Sequence, residues 1–219
     1  MVSKDIYSDK VSWRFCRTAR QIVDDKLRPQ LVAIDIPIGL TEIGPRHCDI
    51  EVRRILGPVR GCSLFPAPIR PVLPVTDYKE ACQVWFGVEG KKMSKQSFAI
   101  MPKIKEVDDL LRQEPVLRET FREVHPELCF YFMAGKQPVV SKKREEEGAR
   151  IRYALLEPAF GRWLPEALAD CRTLGCAKDD ILDAFAALWT AERIAMGAAQ
   201  TIPATPARDA MGLRMEMVV

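Results

Sequence analysis

Hydrophobic and polar positions change period several times along the chain, and each change predicts an element. Val11, Trp13 and Phe15 alternate with Ser12, Arg14 and Cys16, the two-residue period of a short half-buried strand. Ala19, Ile22, Val23 and Leu27 then recur at helical spacing, and Pro29 closes that helix before an apolar run at 31–40, LVAIDIPIGL. Strand, helix and strand in succession predict an α/β sheet.

Residues 49–57 predict a short helix stopped by Gly57 and Pro58. Pro58, Pro66, Pro68, Pro71 and Pro74 then stiffen a long connection of the kind that borders functional sites. A helix is predicted over 76–86, a basic loop over 87–95 and an apolar-periodic stretch over 97–111, so that 57–111 reads as an inserted loop and helix region. Arg122 to Phe130 reads as a strand end and a turn into another apolar stretch. Helices follow over 149–156 and 164–174. The strongest runs from Asp179, a good N-cap, to Gly197, with Ile181, Leu182, Phe185, Leu188 and Trp189 on its apolar side. The proline-bearing tail from Thr201 is expected to wrap the surface.

With 219 residues, 47% hydrophobic and 29% charged, the chain fits one globular domain spanning 1–219 with a core that needs no staples. Its 33 basic and 30 acidic residues leave a net charge of +3, which permits a polyanionic partner and does not by itself argue for one. Seven scattered cysteines, none in a C-x-x-C pair, and two histidines give no zinc spacing and suggest reduced thiols in a cytoplasmic setting. The opening MVSKDIYSDK is polar, so no signal peptide is expected. No apolar run reaches the roughly 18 residues of a membrane span.

Asp35 is the anomaly. A carboxylate inside LVAIDIPIGL must pair, hydrogen-bond or meet a cation, because stranding it in a dry sheet costs several kcal/mol. Pro37 and Gly39 mark the carboxyl end of the strand, where open α/β sheets hold ligands. A structural aspartate capping the following turn explains the residue equally well.

Three other groups could carry chemistry. Asp180 and Asp183 lie three apart on one side of the late helix, with Asp179 and Asp183 as the alternative pair; two close carboxylates invite a divalent cation. Helix-dipole pairing accounts for Asp179 and Asp180 as well, and less well for Asp183 among apolar residues. Glu123, His125 and Glu127 would share one face of an extended strand, as ligands or acid–base groups or as a merely polar face. His47 reads as a loop residue. Lys91, Lys92, Lys95, Lys103 and Lys105, with Lys142, Lys143 and Arg144 in the charge run SKKREEEG, suit phosphate or a solvated exterior.

At these residues the sequence resembles the bacterial and archaeal family known as domain of unknown function 429, regarded as nucleases of RNase H-like fold. The matching pieces are Ile34 to Leu40, Ser63 to Arg70, Ser94-Lys95-Gln96 through Pro102-Lys103-Ile104, Glu123 to Glu127, Ser141-Lys142-Lys143 and Asp179 to Ala184, in the family's order.

The resemblance implies a mixed sheet with helices on both faces and carboxylates gathered over its strand ends. It implies Mg²⁺ or Mn²⁺ held by Asp35, Asp180 and Asp183, with Glu123 and His125 as further catalytic candidates and Lys95 and Lys103 on the phosphate. The reaction would be metal-assisted phosphodiester hydrolysis on nucleic acid. Family members open with a strand carrying Gly-x-Asp-Gly, which this chain lacks. Its first strand is therefore expected to be missing, exposing a sheet edge suited to a homodimer and impairing activity. A non-catalytic nucleic-acid-binding or assembly protein, and a small-phosphoester hydrolase, are the rival readings on the same scaffold.

Overall fold

The alternating start folds back on itself. In the computed structural model, which describes residues 1–24 and 28–219, Val2–Lys4 (β1) pairs antiparallel with Val11–Trp13 (β2), Ser3 facing Ser12. The described part of the next helix is short, Arg20–Val23 (α1), and the expected position Leu27 lies outside the described residues. Strand β3 covers only Val32–Ile34, so Asp35 is the first residue beyond it rather than a mid-strand residue. Pro37 and Gly39 follow too closely for the extended run to continue.

Internal packing divides the described residues into two compact units, one of 1–35, 124–199 and Val219, the other of 36–123 and 200–218. In the first, the helices Pro126–Met133 (α5), Glu146–Phe160 (α6), Leu164–Ala169 (α7), Cys171–Leu174 (α8) and Lys178–Ala195 (α9) enclose one core. Helix α9 is its axis, packing on α5, α6, β1 and β3. Its positions 181, 182, 185, 186 and 188 recur at helical spacing and are buried, and Phe185 meets Phe160 with ring centroids 5.3 Å apart.

In the second unit, His47–Arg60 (α2) runs through the expected stop. Gly57 takes φ 64 and ψ −168, which breaks the helix, and Pro58, whose fixed φ suits a first helical turn, starts it again. Tyr78–Glu89 (α3) is capped by Asp77 and closed by left-handed Gly90. Lys95–Gln113 (α4) starts at the Ser94 cap and tolerates Pro102. Phe121–Glu123 is β4. The tail is a correction to expectation: Thr201–Arg208 (β5) and Arg214–Val218 (β6) form an antiparallel hairpin whose Ile202, Leu213, Met217 and Val218 are buried. Its buried apolar residues and main-chain pairing outweigh its prolines.

The chain is thus of α/β class and predominantly helical, with strands paired at most two at a time among the described residues. No helix of the described residues is long and apolar enough to cross a membrane.

Candidate functional site

The site is assembled in the first unit from a strand end, a helix start, a helix interior and a loop. The Ile34 carbonyl accepts the Val124 N–H at 3.0 Å, which seats His125 beside the residue that follows the strand. His125 is extended, φ −130 and ψ 119, as a residue before proline must be, and Pro126 opens α5 behind it. His125 is only 9% exposed, and its Nδ1 has no hydrogen-bond partner among the described residues. The side-chain nitrogens of Arg70, Trp85, Arg152 and Arg193 share that state, so it does not by itself mark a ligand.

Asp35 retains solvent access, yet the protein packed around it raises its carboxyl pKa, and the nearby charges of His125 and Lys143 draw it back. Asp183 is pushed up to about 6, first by burial; Lys143 opposes that rise, while the carboxylates of Asp35 and Glu127 add to it. The Cys129 thiol, pushed up to about 12 by burial, also feels both Asp35 and Asp183. Asp35 and Asp183 therefore share one field although 148 positions separate them.

The acidic residues of α9 divide by role. Asp180 is exposed and accepts the Ala177 N–H at 2.9 Å, closing the first turn. Asp179 and Asp183, four apart, face Lys143: its Nζ is 2.7 Å from Asp183 Oδ2 and 3.8 Å from Asp179 Oδ2. Burial works to lower the Lys143 pKa, but its bond to Asp183, with Asp179 and Asp35 adding, raises it.

A braced loop aims that lysine. Buried Arg152 donates from Nη1 to the carbonyls of Ser141 and Gly148 at 3.1 and 3.0 Å, and from Nη2 to Glu127 at 2.6 Å. Glu145 N–H reaches the Lys142 carbonyl at 3.0 Å, and Lys142 N–H reaches Glu145 Oε2 at 3.2 Å. Among the described residues, no three His, Cys, Asp or Glu side chains are gathered as a metal centre requires. What is gathered is a carboxylate pair with an ammonium against it.

The remaining candidates stand in the second unit. Glu123 is engaged by Arg46, whose Nη1 and Nη2 each donate to it at 2.7 Å, and it accepts the Ile38 N–H at 2.6 Å. Burial lifts its carboxyl to about 7 while Arg46 pulls it down. Arg46 also holds Asp49 at 2.6 Å, completing a buried structural network. Lys95 opens α4 in solvent, and Lys103 pairs with Glu106 at 3.0 Å. His47 lies in the first turn of α2 rather than in a loop, 3.3 Å from Glu51.

The family described as "Protein of unknown function (DUF429)" matches residues 3–208, almost the whole chain. The chain is a member of the DUF429 family. No curated protein and no solved structure matches it.

In this DUF429 chain the sequence motifs around Asp35, His125, Lys143 and Asp183 meet in one unit. Lys143, Arg152 and Gly148 did not announce their roles in the sequence. The charge run at 141–148 reads as a solvated loop, and only the glycine inside it hinted at close packing. As to metal, the carboxylate oxygens suit a hard divalent cation in kind, whereas an imidazole nitrogen suits softer ones and the described residues do not gather three such donors.

Proposed function

We propose that this DUF429 protein is a divalent-metal-dependent phosphodiester hydrolase of the nuclease class. Asp35 and Asp183 form its acidic pair, and His125 stands beside Asp35. The observation that carries the reading is that Asp35 and Asp183, both with carboxyl pKa values raised by burial, act on each other, with the buried His125 beside Asp35. Clustered groups of this kind mark functional-site candidates.

Asp35 and Asp183 would hold Mg²⁺ or Mn²⁺, which requires their side chains to draw together, since the described residues do not gather three ligating groups. Bound there, the ion supplies charge stabilisation for a phosphoryl oxygen and a water acidic enough to attack at neutral pH. Asp35 would contribute from just beyond β3 and Asp183 from α9, which packs on β3. Lys142 and Arg144 flank the site with positive charge for a polyanion. Lys95 and Lys103 remain phosphate candidates on α4. A second copy of the chain joined at a sheet edge completes the reading, and light scattering of purified protein decides it.

Lys143 favours a second reading, a nucleic-acid-binding protein that does not cut. Its ammonium already balances Asp183, so the fold is electrically satisfied without an ion.

The test is a panel of branched DNA, single strands, RNA–DNA hybrids and small phosphoesters, assayed with Mn²⁺ for wild type, Asp35→Asn and Asp183→Asn. Cutting by wild type alone supports the hydrolase. Salt-sensitive binding without cutting selects the second reading, and turnover of small phosphoesters alone narrows the substrate to them.

A further inference from the structure

We propose that Cys171 and Cys176 are a redox pair, whose thiols close a reversible disulfide across the turn that leads into α9. The proposal lies within the first unit and does not depend on the metal reading above.

The turn between α8 and α9 brings the two residues together. Gly175 is left-handed, φ 67 and ψ 34, and its N–H reaches the Arg172 carbonyl at 3.2 Å. The Cys176 N–H reaches back to the Cys171 carbonyl, also at 3.2 Å. In a helix end closed by this pair of bonds, the side chains of the two outer residues ordinarily touch as an apolar contact. Here both outer residues are cysteines with free thiols, and both pack on the core around α9. A main-chain bond of this kind draws the two α-carbons within the roughly 4.4–6.8 Å that a disulfide spans. The thiols also sense each other. Burial raises the Cys176 thiol pKa, and Cys171 and Asp180 add to the rise.

Exposure sets the order of events. Cys176 is half-buried, whereas Cys171 is only 9% exposed. The Cys176 thiolate attacks one sulfur of a small-molecule disulfide and releases a first thiol. The Cys171 thiolate then attacks the Cys176 sulfur and releases the second. The protein gives up two protons and two electrons, and the oxidant leaves as two thiols. The raised thiol pKa slows the first step at neutral pH and lets it quicken above. Of the other thiols in this unit, Cys129 is buried against Thr190 Oγ1 at 3.2 Å and Cys16 is half-buried; Cys48, Cys62 and Cys82 belong to the second unit. Closed, the bond fixes the turn just before Ala177, the N-cap of α9, and so staples the entry to the helix that carries Asp179 and Asp183.

The test is oxidation of the folded full-length protein by glutathione disulfide at about pH 8, followed by alkylation of the remaining thiols and tryptic mass mapping. Arg172 lies between the two cysteines, so cleavage there turns the bond into a cross-link between fragments 163–172 and 173–178. That cross-linked pair should form, and dithiothreitol should dissolve it. Closing so short a loop should raise the melting temperature by about 4–8 °C, with no rise in Cys176→Ser. Free thiols at both positions, glutathione left on Cys176, a bond from Cys176 to Cys16, or an unchanged melting temperature each overturns the proposal. The mapping is done on wild type, so it decides the matter should Cys176→Ser fail to fold.

Discussion

The carbonyl oxygen of Lys142 stands 1.9 Å from where a β-carbon on residue 148 would be, and only glycine leaves that space empty. The contact is backbone on one side and the first turn of α6 on the other, so neither partner can rotate away.

Gly148→Ala should therefore lower stability by about 1–3 kcal/mol, the usual cost of overpacking, and shift the loop that aims Lys143. Chemical denaturation reads the first effect. The second is read by amide hydrogen exchange across 141–148, which should become faster as the loop loosens.

The pH dependence of stability has a defined sign. Asp183 titrates ordinarily near 3.8 and is raised to about 6 in the fold, so the folded state prefers its protonated form. Its contribution is complete below 3.8 and is lost as pH rises through about 6. Lys143, raised above 10.5, keeps its charge throughout that window. Asp183→Asn cannot titrate. Its melting temperature should gain on wild type between about pH 4 and 6 and run parallel above. A constant difference across the window would contradict the raised pKa.

Asp180 and Asp183 should behave differently despite lying three positions apart. Asp180→Ala removes the hydrogen bond to the Ala177 N–H and should cost about 1 kcal/mol of stability, with no change in Mn²⁺ binding. Asp183→Ala should abolish Mn²⁺ binding. Melting curves with and without the ion separate the two.

Glu123→Ala tests the buried network. It strands Arg46, 2% exposed, with Asp49 as its remaining carboxylate partner and should cost about 3–5 kcal/mol in urea unfolding. Asp109→Ala, which breaks an exposed pair with Lys105, should cost less than about 1 kcal/mol.

What the sequence disclosed follows from what each residue needs. Long amphipathic helices such as α9 were legible because their burial repeats locally, and Asp35 because its charge contradicts its neighbours. Helix α2 ran past its expected end because Gly57 ends a helix only locally while Pro58 begins another. The C-terminal hairpin was hidden because its strands are identified by a partner, not by local composition. Glu123 looked like one of a functional trio; its tie to Arg46 spans 77 positions, a distance over which no local pattern reports. Lys143 sat in a run of charges where its neighbours truly are exposed, so nothing local singled it out.

Arg152 has a consequence beyond holding one loop. A guanidinium wholly withdrawn from water is shared among a glutamate and two carbonyls, so the segment carrying Lys143 is keyed to the body of the protein rather than draped over it. Lysine could not replace it, having no planar fork to reach three acceptors at once. A disturbance that tilts α6 anywhere along its length is thereby delivered to the acidic pair, which makes that helix a lever on whatever the pair holds.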